Sequence, residues 1–439
     1  MMRRIWILFA VVLVAMSVCV SAEISGNVMD RNKKPLGGIF VSARHLQRTM
    51  TTTVVTDERG RFTLKNLLEG TYSVEAKQIG YRSSTKTDVL VSQKPQIISF
   101  TLTEAREIAG QLPSSAFTAL LPEGDQKRFM ATACLGCHQF NQRIIEKDGK
   151  RLSKEQWAAA FNKMLMMFGP GTGFPIIPPI TNVDGVSGWM ATHLSSEKQF
   201  DAKNIPAPIR GNAARAVVTE YDMPFEFELP HDLLVDQQGK VVITGMFSHT
   251  MQELDPLTGI FREFPIPVQA AGPRALEIGH DGTWWVLLGN PRMLGRFHPK
   301  LGQWKTYEIK EYPHSIGRDN DGNLWFNGHF SKNPELIAKM DPNSGDIKWY
   351  EVPSASMTEE QGGPIPYELR VGTDSMVWGG ELHGNRIFKF DPKSEEFNVY
   401  TMPTTNSGPR RFDIAPDGVV WIPEYGGNHL TKFDPKTEQ

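Results

Sequence analysis

The chain has 439 residues, 40% of them hydrophobic and 22% charged, with a formal charge of −2 at pH 7. At roughly 150 residues per domain this predicts a globular protein of about three units, and the balanced charge, with no long basic run, removes any electrostatic case for binding nucleic acid. Thirty-nine glycines and thirty prolines predict many turns, and neither a mononucleotide loop nor a dinucleotide fingerprint is visible.

The chain opens MMRRIWILFAVVLVAMSVCVSAEIS. Arg3 and Arg4, an apolar run from Ile5 to Val20, and the Val20-Ser21-Ala22 site predict a secretory signal peptide over 1–22, cut after Ala22. An uncleaved anchor is the alternative, for which the run is short against the roughly 20 residues of a full span. Val18 stands before Cys19 where a lipoprotein signal carries Gly, Ala or Ser, so no lipidation is expected there. The expected location is outside the cytoplasmic membrane, periplasmic or extracellular, with no span left after cleavage.

Residues 23–104 alternate short apolar strands with turns: EISGNVMD, IFVSARH, TVVTDERGRFTL, GTYSVEAKQIGY, TDVLVS and QIISFTL. Val54, Phe62, Leu64, Tyr72, Val74 and Ala76 fall on period-2 faces, which predicts an antiparallel β-sandwich. Asp57 and Gly60 are expected to make a hairpin turn and Gly70 to start the next strand. The run ISGNVMD, KPLGGIFVSA, TDERGRFTLKNLLEGTYSVEAKQIGY resembles the carboxypeptidase regulatory-like domain. That resemblance implies a seven-stranded, transthyretin-like module without catalytic residues, used for adhesion, carbohydrate contact or spacing.

Within 105–203, residues 134–138 read CLGCH. Once Cys19 leaves with the signal, Cys134 and Cys137 are the only thiols, so no disulfide framework exists. A zinc site would need a second pair of ligands at matching spacing. A thioredoxin-like pair would want a strand-helix context, whereas His138 directly after the second cysteine is the signature of covalent haem c. Two thiols on one helical turn reach the two vinyl groups of the macrocycle, and the adjacent imidazole is aimed at the iron. DQKRFMATA predicts a helix before the motif carrying Phe129 and Met130. RLSKEQWAAAFNKMLMMF predicts a second helix with Ser153 and Gln156 spaced as a capping box, and NVDGVSGWMATHLSS a third. This order, from Cys134–His138 through Trp157–Met164 to Trp189–Leu194, resembles small c-type cytochromes over residues 114–200. The resemblance implies Met164 as sixth iron ligand, and Met166, Met167, Met190 and His193 remain candidates beside it. Met at these positions also suits core filling. The stretch FGPGTGFPIIPP is expected to wrap the haem edge.

From 204 to 439 the chain repeats. LDPLTG (254–259), FHPKLG (297–302), MDPNSG (340–345), FDPKSE (390–395) and FDPKTE (433–438) mark five units. Each unit runs through an apolar strand, an Asp-Gly type turn and a Trp-bearing strand such as DNDGNLWFNGH or APDGVVWIPEY. Such periods predict four-stranded β-propeller blades. AVVTEYDMPF reads as an orphan edge strand that would pair with the fifth unit and seal a five-bladed ring. A truncated seven-bladed ring fits the sequence equally.

This half resembles the streptogramin B lyase (virginiamycin B lyase) family in its P-H-x-I openings and in VWGGELHGNRIFKFDP and VWIPEYGGNHLTKFDP. The resemblance implies seven blades and an Mg²⁺-assisted carbon–oxygen elimination on a cyclic depsipeptide, with His231 (ELPHDL) and His314 (EYPHSI) as candidate catalytic histidines. Leu229 and Tyr312 stand two residues before them where that family carries Glu. Met246 and His329 occupy the downstream metal positions, so the metal carboxylates are missing from both units, with Glu228 and Glu311 one residue further off.

The residue after each unit's opening proline is His231, Arg274, His314, Tyr367 or Arg410, one per unit at one register. These are expected to ring one mouth of the central channel, with His329, Glu381 and Glu424 at the ends of the second strands. Two arginines and two histidines there suit an anionic or carboxylate-bearing ligand, while a merely solvated polar funnel is the competing reading. The sequence thus predicts a multidomain, mainly β protein: sandwich, small all-α cytochrome c domain, and propeller. Three functions follow from it. One is electron transfer by haem c to a periplasmic redox partner, with the propeller binding a substrate or partner. The others are a streptogramin-lyase-like lyase and a non-enzymatic carbohydrate- or partner-binding protein.

Overall fold

The computed structural model describes residues 22–135, 139–168, 182–195, 202–226, 228–331, 334–357 and 363–439, with backbone alone at 132, 133 and 168. The signal segment up to residue 21, Cys137, His138 and the stretch 169–179 lie outside the described residues. Among the described residues no helix is long and apolar enough to cross a membrane. The chain divides into two compact units, one running up to Gln111 and including Pro206–Tyr221, the other made of Leu112–Ile205 and Asp222–Gln439.

The first unit is a β-sandwich of strands β1 (Ala22–Asp30), β2 (Phe40–His45), β3 (Met50–Val55), β4 (Arg61–Leu67), β5 (Gly70–Lys77), β6 (Tyr81–Arg82), β7 (Ser84–Val91) and β8 (Gln96–Glu104). One sheet has the order β4-β1-β8-β6; the other contains β3-β2-β5-β7. Alternation sets the faces: β4 buries Phe62 and Leu64, and β5 buries Tyr72, Val74 and Ala76, against Ile24, Val28, Val41 and Phe100. Two expectations need correcting. The sandwich is not wholly antiparallel, because β1 runs parallel to β8. The Asp57–Gly60 turn does not close a hairpin but carries the chain from one sheet to the other. Gly60 O accepts from Val28 N at 2.8 Å, so the strand leaving the turn pairs with β1 rather than β3.

The helical segment of the second unit contains α1 (Ser114–Thr118), α2 (Asp125–Ala133), α3 (Gln142–Ile145), α4 (Lys154–Phe168) and α5 (Val183–His193). A small ribbon, β9 (Glu146–Lys147) and β10 (Lys150–Arg151), lies between α3 and α4. The capping box is formed: Ser153 N donates to Gln156 Oε1 at 2.9 Å and Gln156 N to Ser153 Oγ at 3.3 Å. Phe117, Met130, Cys134, Phe140, Trp157, Phe161, Met190 and Leu194 are buried, and Trp157 stacks on Phe161 at 5.8 Å. The segment is mainly helical, with the β9–β10 ribbon as its one sheet among the described residues.

Strand β11 (Val218–Tyr221) corrects the expected ring closure. It pairs antiparallel with β3 of the sandwich, Val218 opposite Thr53 and Tyr221 opposite Met50, and not with the fifth propeller-like sheet. Val217 and Val218 are exposed, so this contact is a main-chain ladder on an open sheet edge rather than apolar burial.

Five sheets follow. They are β12–β15 (Pro230–Val235, Val241–Gly245, Thr250–Asp255, Ile260–Pro265), β16–β19 (Pro273–Ile278, Trp284–Leu288, Met293–His298, Gln303–Glu308), β20–β23 (Pro313–Arg318, Leu324–Gly328, Glu335–Met340, Ile347–Val352), β24–β27 (Pro366–Val371, Val377–Glu381, Arg386–Asp391, Glu396–Thr401) and β28–β30 (Asp413–Ile414, Val420–Glu424, His429–Phe433). The repeated DP turns have a shared cause: Asp255, Asp341, Asp391 and Asp434 each accept, through Oδ1, the amide two residues on at 2.8–2.9 Å. Second strands such as WWVLL are apolar on both faces because each packs between neighbouring sheets. Trp284 and Val286 face the first sheet, while Trp285 and Leu287 face the third.

Gly60 sits at φ +72°, and a Cβ there would meet Val28 O at 2.4 Å. Gly60→Ala is therefore expected to lower the stability of the sandwich by at least about 1–2 kcal/mol, read as a shifted denaturation midpoint; an unshifted midpoint contradicts the packing described.

Candidate functional site

Each inner strand of the first four sheets starts on its proline and then breaks register with the second strand. The shifts lie between Pro230 and Leu233, Pro273 and Leu276, Pro313 and Ile316, and Pro366 and Glu368. In the fifth sheet Pro409 bridges Glu424 and the next pair is Asp413 with Trp421. A bulge frees residues from the ladder and re-aims their side chains. The freed residues include His231, Arg274, His314, Tyr367 and Arg410, the five at one register.

The structure brings these into one contact chain. His314 stacks on His329 with ring centres 4.3 Å apart and 18° between planes, and lies 5.1 Å from His231 and 4.4 Å from Tyr367. Arg410 rests over the rings of Tyr367 (5.0 Å) and Tyr425 (4.5 Å), and Arg274 over Tyr312 (5.5 Å). His314 Nδ1 lies 3.0 Å from Tyr367 O, and His329 Nδ1 3.1 Å from Pro366 O. Asn327 fixes this backbone: its Oδ1 accepts from His314 N and Ser315 N, and its Nδ2 donates to Pro366 O at 2.7 Å. Burial lowers the pKa of all three histidines: His231 below its usual value, His314 well below it, and His329 down to about 3. They are neutral imidazoles at pH 7.

Two expected members lie elsewhere. Glu381 is buried and clamped by Arg386, whose Nε donates to its Oε2 at 2.8 Å while the same guanidinium holds Ser354 O and Pro353 O. Glu424 is tied within its own hairpin by Thr431 Oγ1 and by His429 Nδ1 at 3.4 Å. At the lyase-type metal positions, Met246 places its Sδ against Arg274, and His329 is stacked on His314. Glu228 holds Gln252 Nε2 at 2.9 Å and Glu311 lies 3.9 Å from Arg292. Among the described residues no group of three or more His, Cys, Asp or Glu is placed to hold a metal ion.

Sequence reasoning missed groups that follow on the same inner segments. Arg411 bridges Asp232 at 3.1 Å and Glu368 at 3.5 Å, and Arg370 pairs with Glu368 at 2.5 Å. Ser315 Oγ donates to Glu368 Oε1 at 2.9 Å. Their signal was present, since Asp232, Ser315, Glu368 and Arg411 each directly follow the residue at the shared register, but the register argument counted only the first.

In the helical segment, Cys134 caps the end of α2, its N donating to Met130 O at 2.9 Å, and its Sγ is buried 3.7 Å from Met130 Sδ. Met164 is half-buried on α4, Met166 and Met167 are exposed, and Met190 is buried. His193 packs edge-on to Trp189 at 5.4 Å.

Burial pushes Glu368 up to about 7 against the pull of Arg370 and Arg411. An acid whose folded pKa is raised binds more protons folded than unfolded, so its contribution to stability is present below about 4.5 and fades as pH rises through about 7. Glu368→Gln should flatten the stability profile between these values, by a slope of at most about 1.4 kcal/mol per pH unit; denaturation at stepped pH checks this, and identical slopes refute it.

The virginiamycin B lyase family model matches residues 259–438, and the carboxypeptidase regulatory-like domain model residues 23–103. No curated protein matches the chain. Among solved structures, a catalytically inactive virginiamycin B lyase from Staphylococcus aureus with quinupristin is 22% identical, with a TM-score of 0.45 over 51% of this chain and 72% of that one. The selenomethionine-substituted enzyme from the same organism is 25% identical, with a TM-score of 0.42 over 47% and 67%. The extracellular domain of a hybrid two-component system from B. thetaiotaomicron is 13% identical, with a TM-score of 0.38 over 49% and 28%. The c-type cytochrome domain expected from the sequence is not among these matches. The comparisons thus mark a carboxypeptidase regulatory-like segment followed, further along, by a virginiamycin B lyase-like one.

Proposed function

We propose that this is an exported protein whose propeller-like half holds an anionic, carboxylate-bearing small molecule on its axis. The carrying observation is the convergence of Arg274 and Arg410 beside three neutral imidazoles. Among the described residues Arg410 rests on two tyrosine faces and is ion-paired to no carboxylate. Asp232 and Glu368 engage Arg411 and Arg370 instead, so the charge of Arg410 is left for a ligand. Lyase chemistry of the streptogramin type is disfavoured, since Leu229, Tyr312, Met246 and His329 cannot supply the carboxylates that Mg²⁺ would need.

Titrating the full chain with gluconate and with hexanoate by calorimetry tests this. Binding of a carboxylate probe, weakened at least about ten-fold (1.4 kcal/mol) in an Arg274→Ala, Arg410→Ala double variant, is expected. Unaltered affinity in that variant, or no binding of either probe, overturns it.

A second reading, electron transfer to a periplasmic redox partner through covalent haem c, is favoured by the placement of Cys134. Its sulfur ends α2 inside an apolar core, with Met164 half-buried on α4. Cys134 and Cys137 would hold the macrocycle, with His138 and Met164 as ligands to its iron. Bound haem would supply one-electron transfer, at a potential raised by thioether ligation. The apolar wall of Met130, Phe140, Trp157 and Phe161 would keep water from that surface. Protein made with haem-maturation machinery should retain Soret absorbance after denaturation, and Met164→Ala should abolish the Met-to-iron band in the red. Loss of the Soret on denaturation ends this reading; an unchanged red band ends the Met164 assignment.

A further inference from the structure

The tautomers of the axial histidines follow from their partners. Tyr367 O and Pro366 O are main-chain carbonyls and can only accept, so His314 and His329 carry their proton on Nδ1. His231 Nδ1 lies 3.0 Å from Asp232 Oδ2, a carboxylate kept ionised by His231 and Arg411 against the effect of burial, and is a donor for the same reason. Neutral rings with Nδ1 protonated bear a lone pair on Nε2. Among the described residues no hydrogen bond reaches any of these three Nε2 atoms. None of them belongs to the fully enclosed unpaired polar atoms, so each keeps some accessible surface.

Three outward lone pairs beside two guanidinium groups define a ligand. They do not define a metal site: His314 and His329 are stacked 18° from parallel, so their in-plane lone pairs run alongside one another instead of meeting on one ion. A carboxylate alone presents only acceptors, which satisfies Arg274 and Arg410 but sets oxygen lone pairs against nitrogen lone pairs at the imidazoles. A ligand ammonium would donate to Nε2, but Arg274 and Arg410 repel it. The donors that fit are neutral, and hydroxyls are the simplest of these. Resting on the anion-binding reading above, we propose that the axial site is selective for hydroxylated carboxylates, the anion held by Arg274 and Arg410 and the hydroxyls donating to Nε2 of His231, His314 and His329. A site built to accept hydroxyl hydrogens rejects the deoxy analogue strongly, because its buried acceptors are then left without partners.

The test compares two six-carbon carboxylates on the full chain by calorimetry. Gluconate is expected to bind at least about ten-fold more tightly than hexanoate. His329→Phe, which keeps an aromatic ring against His314 but removes the acceptor, should narrow the gap between the two affinities. His329→Gln, which restores an acceptor, should recover part of the preference. Equal affinities of the wild-type protein for the two probes overturn the inference and leave the anion-binding reading standing. A preference for gluconate that survives His329→Phe and the matching His314→Phe also overturns it, and binding of neither probe overturns both.

Discussion

The candidate site depends on one backbone device, the break in register just after the proline that opens each inner strand. A regular strand sends alternate side chains to its two faces, where in these sheets they would be buried against the neighbouring sheets. The bulge releases residues from that alternation. Five different sheets can then deliver His231, Arg274, His314, Tyr367 and Arg410 to one place without giving up the packing of Trp284, Trp325 or Trp378 behind them. The proline contributes a fixed φ and needs no ladder hydrogen bond, so each repeat enters its bulge in the same way.

How the cluster behaves electrically follows from depth. His231, His314 and His329 lose their charge to burial, while Asp232 keeps its charge beside Arg411 and burial raises Glu368 in spite of Arg370 and Arg411. Neutral rings beside guanidinium groups that rest on tyrosine faces make a surface that attracts anions and still accepts hydrogen bonds. Asn327 links the two roles, since one amide orients both the His314 backbone and the carbonyls that fix the imidazole tautomers.

Much of this was legible in the sequence. The period-2 faces of Phe62, Leu64, Tyr72, Val74 and Ala76, the Ser153–Gln156 capping box and the five repeat units each rest on local patterns, and local patterns survive folding. What was not legible was partner choice. Val217 and Val218 look like a blade strand by composition, yet β11 is held by main-chain hydrogen bonds to β3, to which side-chain pattern gives no clue. Asp57 and Gly60 give the turn but not which sheet the chain enters next. Glu381 and Glu424 stand opposite Pro366 and Pro409, where the third sheet has Gly328, one residue short of His329, and Arg386 and Thr431 hold them within their own hairpins. Asp232 and Arg411 were overlooked because their pairing spans nearly the whole repeat array.

The ladder between β11 and β3 makes the sandwich discontinuous in sequence. During synthesis the eight strands up to Glu104 emerge long before Val218, so the nascent sandwich must wait with the β3 edge bare until the helical segment has left the ribosome. An open edge is a template for pairing with other chains. The late strand therefore acts as a built-in cover for a vulnerability that the early domain cannot remove by itself, and a fragment cut at the end of the regulatory-like segment would expose it.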